Sequence, residues 1–342
     1  MSKASKKRFE IKNKYFNYLE KTALKVDPWV KKIISENGFS FNLEKILISR
    51  YRFGKAQLRP AQVRWGYELF GGSNWEQIIP ACASVEMKDT GYYCLDDFFD
   101  KRQESNLVLL QGIISSLSYT MIYELLNSYE AEQVNKVLQE LTNLDIKNAK
   151  AAFIDNKLKE PNMDLYFKKV EGYNFWETPL RIGAILAKTS TANINLIGKI
   201  GKFIGMGYII ANDTWDFGKD LEDFKAGKYT LPIIYLFEQL KSDEKKKLLE
   251  LFSKTGISKK DENFIRKASV ITGTIEYGKQ IAQEYCNKGL ELLESFKPSQ
   301  SKRLLEFSTS MTQRNKFYDN LKKFNQKNKY SLKKSSELLV RV

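Results

Sequence analysis

The sequence predicts an all-α protein folded as one domain. Three observations predict it. Apolar residues recur at the three-and-four spacing of a helix face, proline is scarce at 7 in 342 residues, and alternating strand patterns are weak throughout. Hydrophobic content of 42% against 28% charged is that of a globular chain with ample sequence for a core. Neither an internal repeat nor a Pro/Gly/Ser linker divides it, so a single domain over 1–342 is expected, with loose ends at 1–8 and 320–342.

The segments carrying the helical period follow in order. NLVLLQGIISSLSYTMIYELL (106–126) predicts a strongly apolar helix buried on most sides. AEQVNKVLQELTNLDI (131–146) predicts an amphipathic helix with Val134, Val137, Leu138, Leu141 and Leu144 on one face. NLIGKIGKFIGMGYIIANDTWDF (195–217) predicts a long, apolar, glycine-rich helix, and GKQIAQEYCNKGLELLESF (278–296) a second amphipathic one. Short loops are expected at 71–74, 160–163, 218–228 and 242–245.

Composition excludes whole classes of chemistry. There is no histidine, which removes histidine triads, histidine general bases and histidine-ligated zinc or iron. The cysteines, Cys82, Cys94 and Cys286, form no C-x-x-C pair, so neither a zinc ribbon nor a disulfide framework is expected. The basic start, MSKASKKRFEIKNKYF, is followed by no apolar stretch of a secretory signal, and no apolar run approaches the roughly 20 residues of a membrane span. A cytoplasmic location without a stable membrane span is the expectation. Net charge is +15, but the lysines are spread along the chain with frequent Asn, Ile and Tyr, which reads as compositional bias and implies no nucleic-acid role.

Two acidic clusters stand out. In YYCLDDFFD (92–100), Asp96 and Asp100 are four apart and share a helix face, while Asp97 is turned aside by about 100°. In NDTWDFGKD (212–220), Asn212, Asp216 and Asp220 form an oxygen-bearing stripe if the segment is helical. One such cluster alone reads as a solvated helix face. Two, each inside an apolar helix, would repel one another strongly across a bundle unless cations lay between them. All-oxygen ligands without histidine favour Mg²⁺, with Mn²⁺ as the alternative, and Mg²⁺ held by few carboxylates commonly takes a phosphate-bearing substrate as its remaining ligand. Lys228, in the Gly-Lys pair of DFKAGKYTLPII (223–234), is placed to meet a diphosphate as a point charge.

The order of these motifs resembles the trans-isoprenyl diphosphate synthases, the polyprenyl synthetase family of the class I isoprenoid synthase fold. The matching pieces are LRP (58–60), DDFFD (96–100), GAILA (183–187), NDTWD (212–216) and DFKAGKYTLP (223–232), and the likeness extends over roughly 45–315. The resemblance implies a helical bundle around a deep apolar cavity. The two acidic motifs would face each other across its mouth, Asp96, Asp97, Asp100, Asn212, Asp216 and Asp220 holding three Mg²⁺ ions. Those ions would grip an allylic prenyl diphosphate of C10–C20, with Arg59, Lys219 and Lys228 as its basic partners. Tyr92, Tyr93 and Phe99 become pocket residues, Tyr92 setting the depth and Lys88 lying a further turn down. Homodimerisation is implied as well.

The chain departs from the family in the basic set that holds isopentenyl diphosphate. Ala56 and Gln57 stand where lysine and arginine are usual, Asp89 where histidine is usual, and Ser105, Asn106 and Leu107 where Arg-Arg-Gly follows the first motif. Lys55 and Arg102 are candidates to compensate. Lys188, in a KTS match, falls on the wrong side of GAILA and is read as solvated; the family's lysine, expected near 171–173, is read as missing, with Lys168 and Lys169 just upstream as candidates to supply charge. Asn212, Asp216 and Asp220 resemble the metal triad of terpene synthases. The expectation is therefore a Mg²⁺-dependent, terpene-synthase-like enzyme that needs no isopentenyl diphosphate. Its alternatives are a chain-elongating synthase, a prenyltransferase to another acceptor, or a non-catalytic partner subunit.

Overall fold

A computed structural model describes residues 3–51, 53, 57–99 and 106–313, and side chains from residue 9 to residue 311 within these. Asp100, Lys55, Ala56, Arg102, Ser105 and the segment 320–342 lie outside the described residues. Among those described, every regular element is helical.

In chain order the α-helices are α1 (Lys3–Glu36), α2 (Phe41–Arg50), α3 (Leu58–Leu69), α4 (Ile79–Phe99), α5 (Leu107–Tyr123), α6 (Ala131–Lys157), α7 (Met163–Gly172) and α8 (Glu177–Leu186). They continue as α9 (Thr191–Lys219), α10 (Glu222–Ala226), α11 (Leu231–Gln239), α12 (Ser242–Leu251), α13 (Lys259–Thr272), α14 (Thr274–Leu293) and α15 (Gln300–Gln313). The start signals are local. Ser190 accepts from the Asn193 N–H at 3.3 Å and opens α9, and Asn162 accepts from the Leu165 N–H at 2.9 Å and opens α7. Each such cap contributes about 1 kcal/mol.

The predicted helices all form, with differences that have physical causes. α6 runs eleven residues past the predicted end at 146, to Lys157. The expected loop at 242–245 is the first turn of α12, where Asp243 and Glu244 suit the positive helix N-terminus. The expected loop at 218–228 contains the short α10. α5 is buried on one side only: Val108, Leu109 and Tyr123 are exposed. α5 together with the 3-10 turn that follows it, over Leu107–Asn127, and α9 are also long and apolar enough to cross a membrane by length and composition, contrary to the sequence reading. In this fold their apolar residues Leu110, Ile114, Leu117, Ile197, Ile200, Ile204 and Ile210 are buried in the protein core.

Three apolar clusters hold the bundle. One joins α1 through α6 and α8 around Val85, Leu117 and Leu141. A second joins α1, α3, α8, α9 and α15 around Trp65, Trp176 and Leu304. The third joins α7, α9 and the helices after it around Phe217, Ile234 and Ile265. α3 and α8 cross backbone to backbone. A Cβ on Gly183 would collide with the Val63 carbonyl, and one on Gly66 with the Leu180 carbonyl, so the crossing requires both glycines. That crossing fixes Arg59, at the start of α3, relative to Phe175, just before α8.

Candidate active site

α4, α6 and the segment between α7 and α8 wall a cavity of about 510 Å³, with Ile209 of α9 and Lys228 on its remaining side. Tyr92, Tyr93, Asp96 and Phe99 line it, so the predicted pocket residues of α4 share one space with Arg59 and Lys228. Asp96 stands exposed at the rim.

Asp97 is a correction. Its carboxylate is buried and takes a hydrogen-bonded ion pair from Arg50 Nη1 at 2.9 Å, so it ties α4 to α2 instead of adding a ligand at the mouth. The direction follows from the 100° step between adjacent helical residues.

On α9 the second motif lies one turn beyond Ile209, at the rim and not among the cavity walls. Asn212 Nδ2 donates to Asp216 Oδ2 at 2.8 Å. The Asp216 carboxyl is pushed up to about 7, by burial first, then by Asp223 and Asp220, with Lys219 opposing. Asp213 is likewise pushed up to about 7, by burial first and Asp223 next, with Lys169 and the Tyr166 hydroxyl pulling it down. The Tyr166 hydroxyl donates to Asp213 Oδ2 at 2.8 Å.

Two further expectations change here. Asp220 is not a helical member of the stripe: it caps α9 at φ −139°, and Leu221 follows in the left-handed region at φ +59°. Lys219 is largely exposed and ion-paired to Asp220 at 3.2 Å, turned from the cavity that it was expected to serve. Lys228 does line the cavity. The left-handed Gly227, at φ +74°, delivers it there, and its N–H donates to the Asp223 carbonyl at 2.9 Å.

Among the described residues no three carboxylates already converge as a metal site. The donors form two groups, Asp96 on one lip and Asn212, Asp216 and Asp220 on the other. They fit a hard divalent cation nonetheless: all are oxygen donors, and the crowding that raises Asp216 is what a cation would relieve. This crowding gives a stability prediction. Asp216 ionises near 3.8 when unfolded and about 7 when folded. The cost of charging it is absent below the lower value, grows between the two, and is complete above the upper. Asp216→Asn should therefore raise the unfolding free energy of the metal-free chain by about 1–2 kcal/mol above pH ~8 and leave it unchanged near pH ~4. Denaturant titration at both pH values checks this, and equal shifts would remove crowding as the cause.

Arg59 is interior, not at the mouth. Its Nε donates to Asp89 Oδ1 at 3.2 Å and its Nη1 to the Phe175 carbonyl at 3.2 Å, with the Phe175 ring 4.9 Å from the guanidinium carbon. Burial opposes its charge, and its neighbours, Asp89 first, outweigh burial. The basic residue retained from the family pattern is thus neutralised by the carboxylate that replaces histidine. Gln57, in the place of an arginine, is buried and donates to Asp27 Oδ1 at 2.8 Å and to the Tyr51 hydroxyl at 3.1 Å, a purely structural post.

Sequence reasoning missed Asp145. Its Oδ1 accepts from the Tyr92 hydroxyl at 2.6 Å, and its Oδ2 from Lys88 Nζ at 2.7 Å and the Tyr119 hydroxyl at 2.6 Å. Lys88 also donates to Ser115 Oγ at 2.6 Å and is 1% exposed. A charged knot thus sits behind Tyr92 and meets the cavity wall through that hydroxyl, while Lys88 and Asp145 are not among the wall residues. No signal in the chain announced Asp145, which falls between Leu144 and Ile146 on a helix read for its apolar face. Lys169 is buried, 2.9 Å from Asp155 Oδ1 of the cavity wall, and reaches Asp213 electrostatically. It supplies a cation between the walls, whereas Lys188 is exposed.

Comparisons with known proteins show the family and the fold. The polyprenyl synthetase family model matches residues 43–268. A short chain isoprenyl diphosphate synthase of Methanocaldococcus jannaschii is 23% identical over 278 residues, covering 75% of this chain and 83% of the relative. A geranylgeranyl diphosphate synthase of Methanosarcina mazei is 24% identical over 280 residues, covering 74% and 83%. The fold matches the crystal structure of geranylgeranyl pyrophosphate synthetase from Pyrococcus horikoshii with a TM-score of 0.75 at 19% identity, covering 88% of this chain and 98% of that one. It also matches a polyprenyl synthase of Caulobacter crescentus solved in complex with calcium and isoprenyl diphosphate, with a TM-score of 0.73 at 18% identity, covering 87% and 97%. These relatives are isoprenyl diphosphate synthases, so they support the chain-elongating alternative and lend nothing to the terpene-synthase-like reading. This chain belongs to the polyprenyl synthetase family, an enzyme family of all-helical isoprenoid synthases.

Proposed function

We propose that this chain is a Mg²⁺-dependent prenyltransferase that ionises a short allylic prenyl diphosphate and joins the resulting cation to isopentenyl diphosphate. The observation that carries the reading is the single cavity with Asp96 and Lys228 at its rim and aromatic side chains on its walls. Asp96, Asn212, Asp216 and Asp220 are the residues to hold the metal, and Asp100 completes that set by resemblance. The metal supplies charge stabilisation to the departing diphosphate. Lys228 supports the diphosphate as a point charge. Tyr92, Tyr93, Phe99 and Phe175 exclude water and present ring faces to the allylic cation. The homodimer belongs to this reading, and the exposed Leu109 of α5 and Phe153 of α6 supply apolar surface for it.

The test is incubation of the purified chain with Mg²⁺ and geranyl, farnesyl or geranylgeranyl diphosphate, with and without isopentenyl diphosphate. A longer diphosphate formed only with isopentenyl diphosphate is the expected result. Hydrocarbon or alcohol release independent of it would sink the reading.

One observation favours a second reading, in which no second diphosphate is bound: Arg59 is already spent on Asp89. Freeing that arginine separates the two. In an elongating enzyme, Asp89→Asn should lower KM for isopentenyl diphosphate by about tenfold, since a charge-assisted hydrogen bond becomes available to it. Turnover that does not depend on isopentenyl diphosphate in either chain would favour the second reading.

A further inference from the structure

We propose that the outer face of α13, with the adjoining part of α12, docks this protein onto an anionic phospholipid bilayer. The two most exposed large apolar side chains among the described residues are neighbours, Val270 at 79% and Ile271 at 81%. They end α13, just before the left-handed turn at Gly273. Side chains this exposed and adjacent gain nothing from water.

Their surroundings supply the sign of the partner. Lys260, Phe264, Lys267 and Ile271 recur at helical spacing and share one face of α13. Lys247 of α12 reaches across, its Nζ 4.3 Å from the centre of the Phe264 ring, and Lys247, Lys259, Lys260, Phe264 and Lys267 line a shallow groove. Over 241–272 there are nine lysines and arginines against five aspartates and glutamates. Of those acids Glu262 is held by Arg266 at 2.7 Å and Asp261 lies 3.9 Å from Lys247. A band of cations ending in a bare aliphatic pair is the pattern of an interfacial helix: the ammonium groups meet lipid phosphates and the aliphatic pair enters the acyl boundary. Nucleic acid would engage the lysines but leave Val270 and Ile271 in water, so the observations favour the bilayer.

The placement is functional. Arg266 Nη1 donates to the Gly218 carbonyl at 2.8 Å and Nη2 to the Lys219 carbonyl at 3.1 Å, which ties α13 to the end of α9 that carries the second acidic motif. Docking here brings lipid to the end of the molecule where the cavity has its rim. The benefit for a prenyl product rests on the proposed function; the binding itself does not.

Flotation of the full chain with phosphatidylcholine vesicles, and with vesicles in which about one lipid in three is phosphatidylglycerol, tests the proposal. Binding to the second kind alone, weakened by salt, is expected. Lys260→Glu with Lys267→Glu should weaken it by roughly fivefold per lysine. Val270→Ser with Ile271→Ser, which changes no charge, should weaken it by about tenfold. Reversal of the exposed Lys21 and Lys32 on α1 should stay within about twofold of the parent. An equal loss from the α1 reversals, or no loss from the serine pair, would overturn the proposal. So would tighter retention by a homopolymeric RNA with the serine pair indistinguishable from the parent.

Discussion

Asp96→Ala and Asp216→Ala should each lower the rate of diphosphate release from an allylic substrate by at least about a hundredfold at saturating Mg²⁺, because in the proposed function each would hold a cation that stabilises the departing diphosphate. Asp96 is exposed on the last turn of α4, and Asp216 is half-buried near the end of α9. Asp97→Asn provides the contrast. That carboxylate is engaged by Arg50. The variant should lose about 1 kcal/mol of stability, read by denaturant titration, and keep turnover within about threefold. Near-normal turnover in Asp96→Ala or Asp216→Ala would refute the metal assignment. A collapse of turnover in a folded Asp97→Asn would return that residue to the metal site. The separation matters because the neighbouring acids Asp96 and Asp97 look alike in a sequence, and only the helix phase gives them different surroundings.

What the chain announces and what it hides divide along the range of the interaction. Helical periodicity is local, so α5, α6, α9 and α14 were legible, and so were the two acidic motifs, whose members lie within one or two turns of each other. Partners brought from afar were not. Arg50 lies 47 residues from Asp97, and Asp145 lies 57 from Lys88. Nothing in either helix alone says which of its polar residues will be buried. Asp220 fails as a stripe member for a subtler reason. The i+8 spacing holds only while the backbone stays helical, and α9 stops at Lys219, before the left-handed Leu221. The exposed side of α5 was invisible because its residues are as apolar as the buried side, and periodicity cannot distinguish a core helix from one awaiting a partner. Arg59 was legible as a surviving basic residue; that Asp89 would neutralise it required the α3–α4 packing.

The charged knot behind Tyr92 carries the second large effect. Asp145 balances the buried ammonium of Lys88 and fixes Tyr92, whose ring meets Phe175 edge-on at 5.7 Å. Asp145→Leu alone leaves that ammonium without its counter-charge. Burial already holds the Lys88 pKa below its usual value, with Asp145 opposing the fall. Loss of about 3 kcal/mol is expected, read by denaturant titration. Lys88→Leu combined with Asp145→Leu removes both charges, and an apolar pair of similar volume should recover most of that loss. The recovered variant then has no charge behind Tyr92, and Tyr92 is no longer tethered to Asp145 through its hydroxyl. If the knot is what ends the tail, this variant should release products at least one isoprene unit longer than the parent's. Parent-length products from a stable double variant would move the stop to the Tyr92 ring itself, and Tyr92→Ala in the parent would then be the change that lengthens them. Were a tail to end at Tyr92, an apolar stop behind it would bind a longer tail by burying it, whereas this ion pair would have to be broken before a tail could pass, at a cost greater than a methylene gains at about 0.8 kcal/mol.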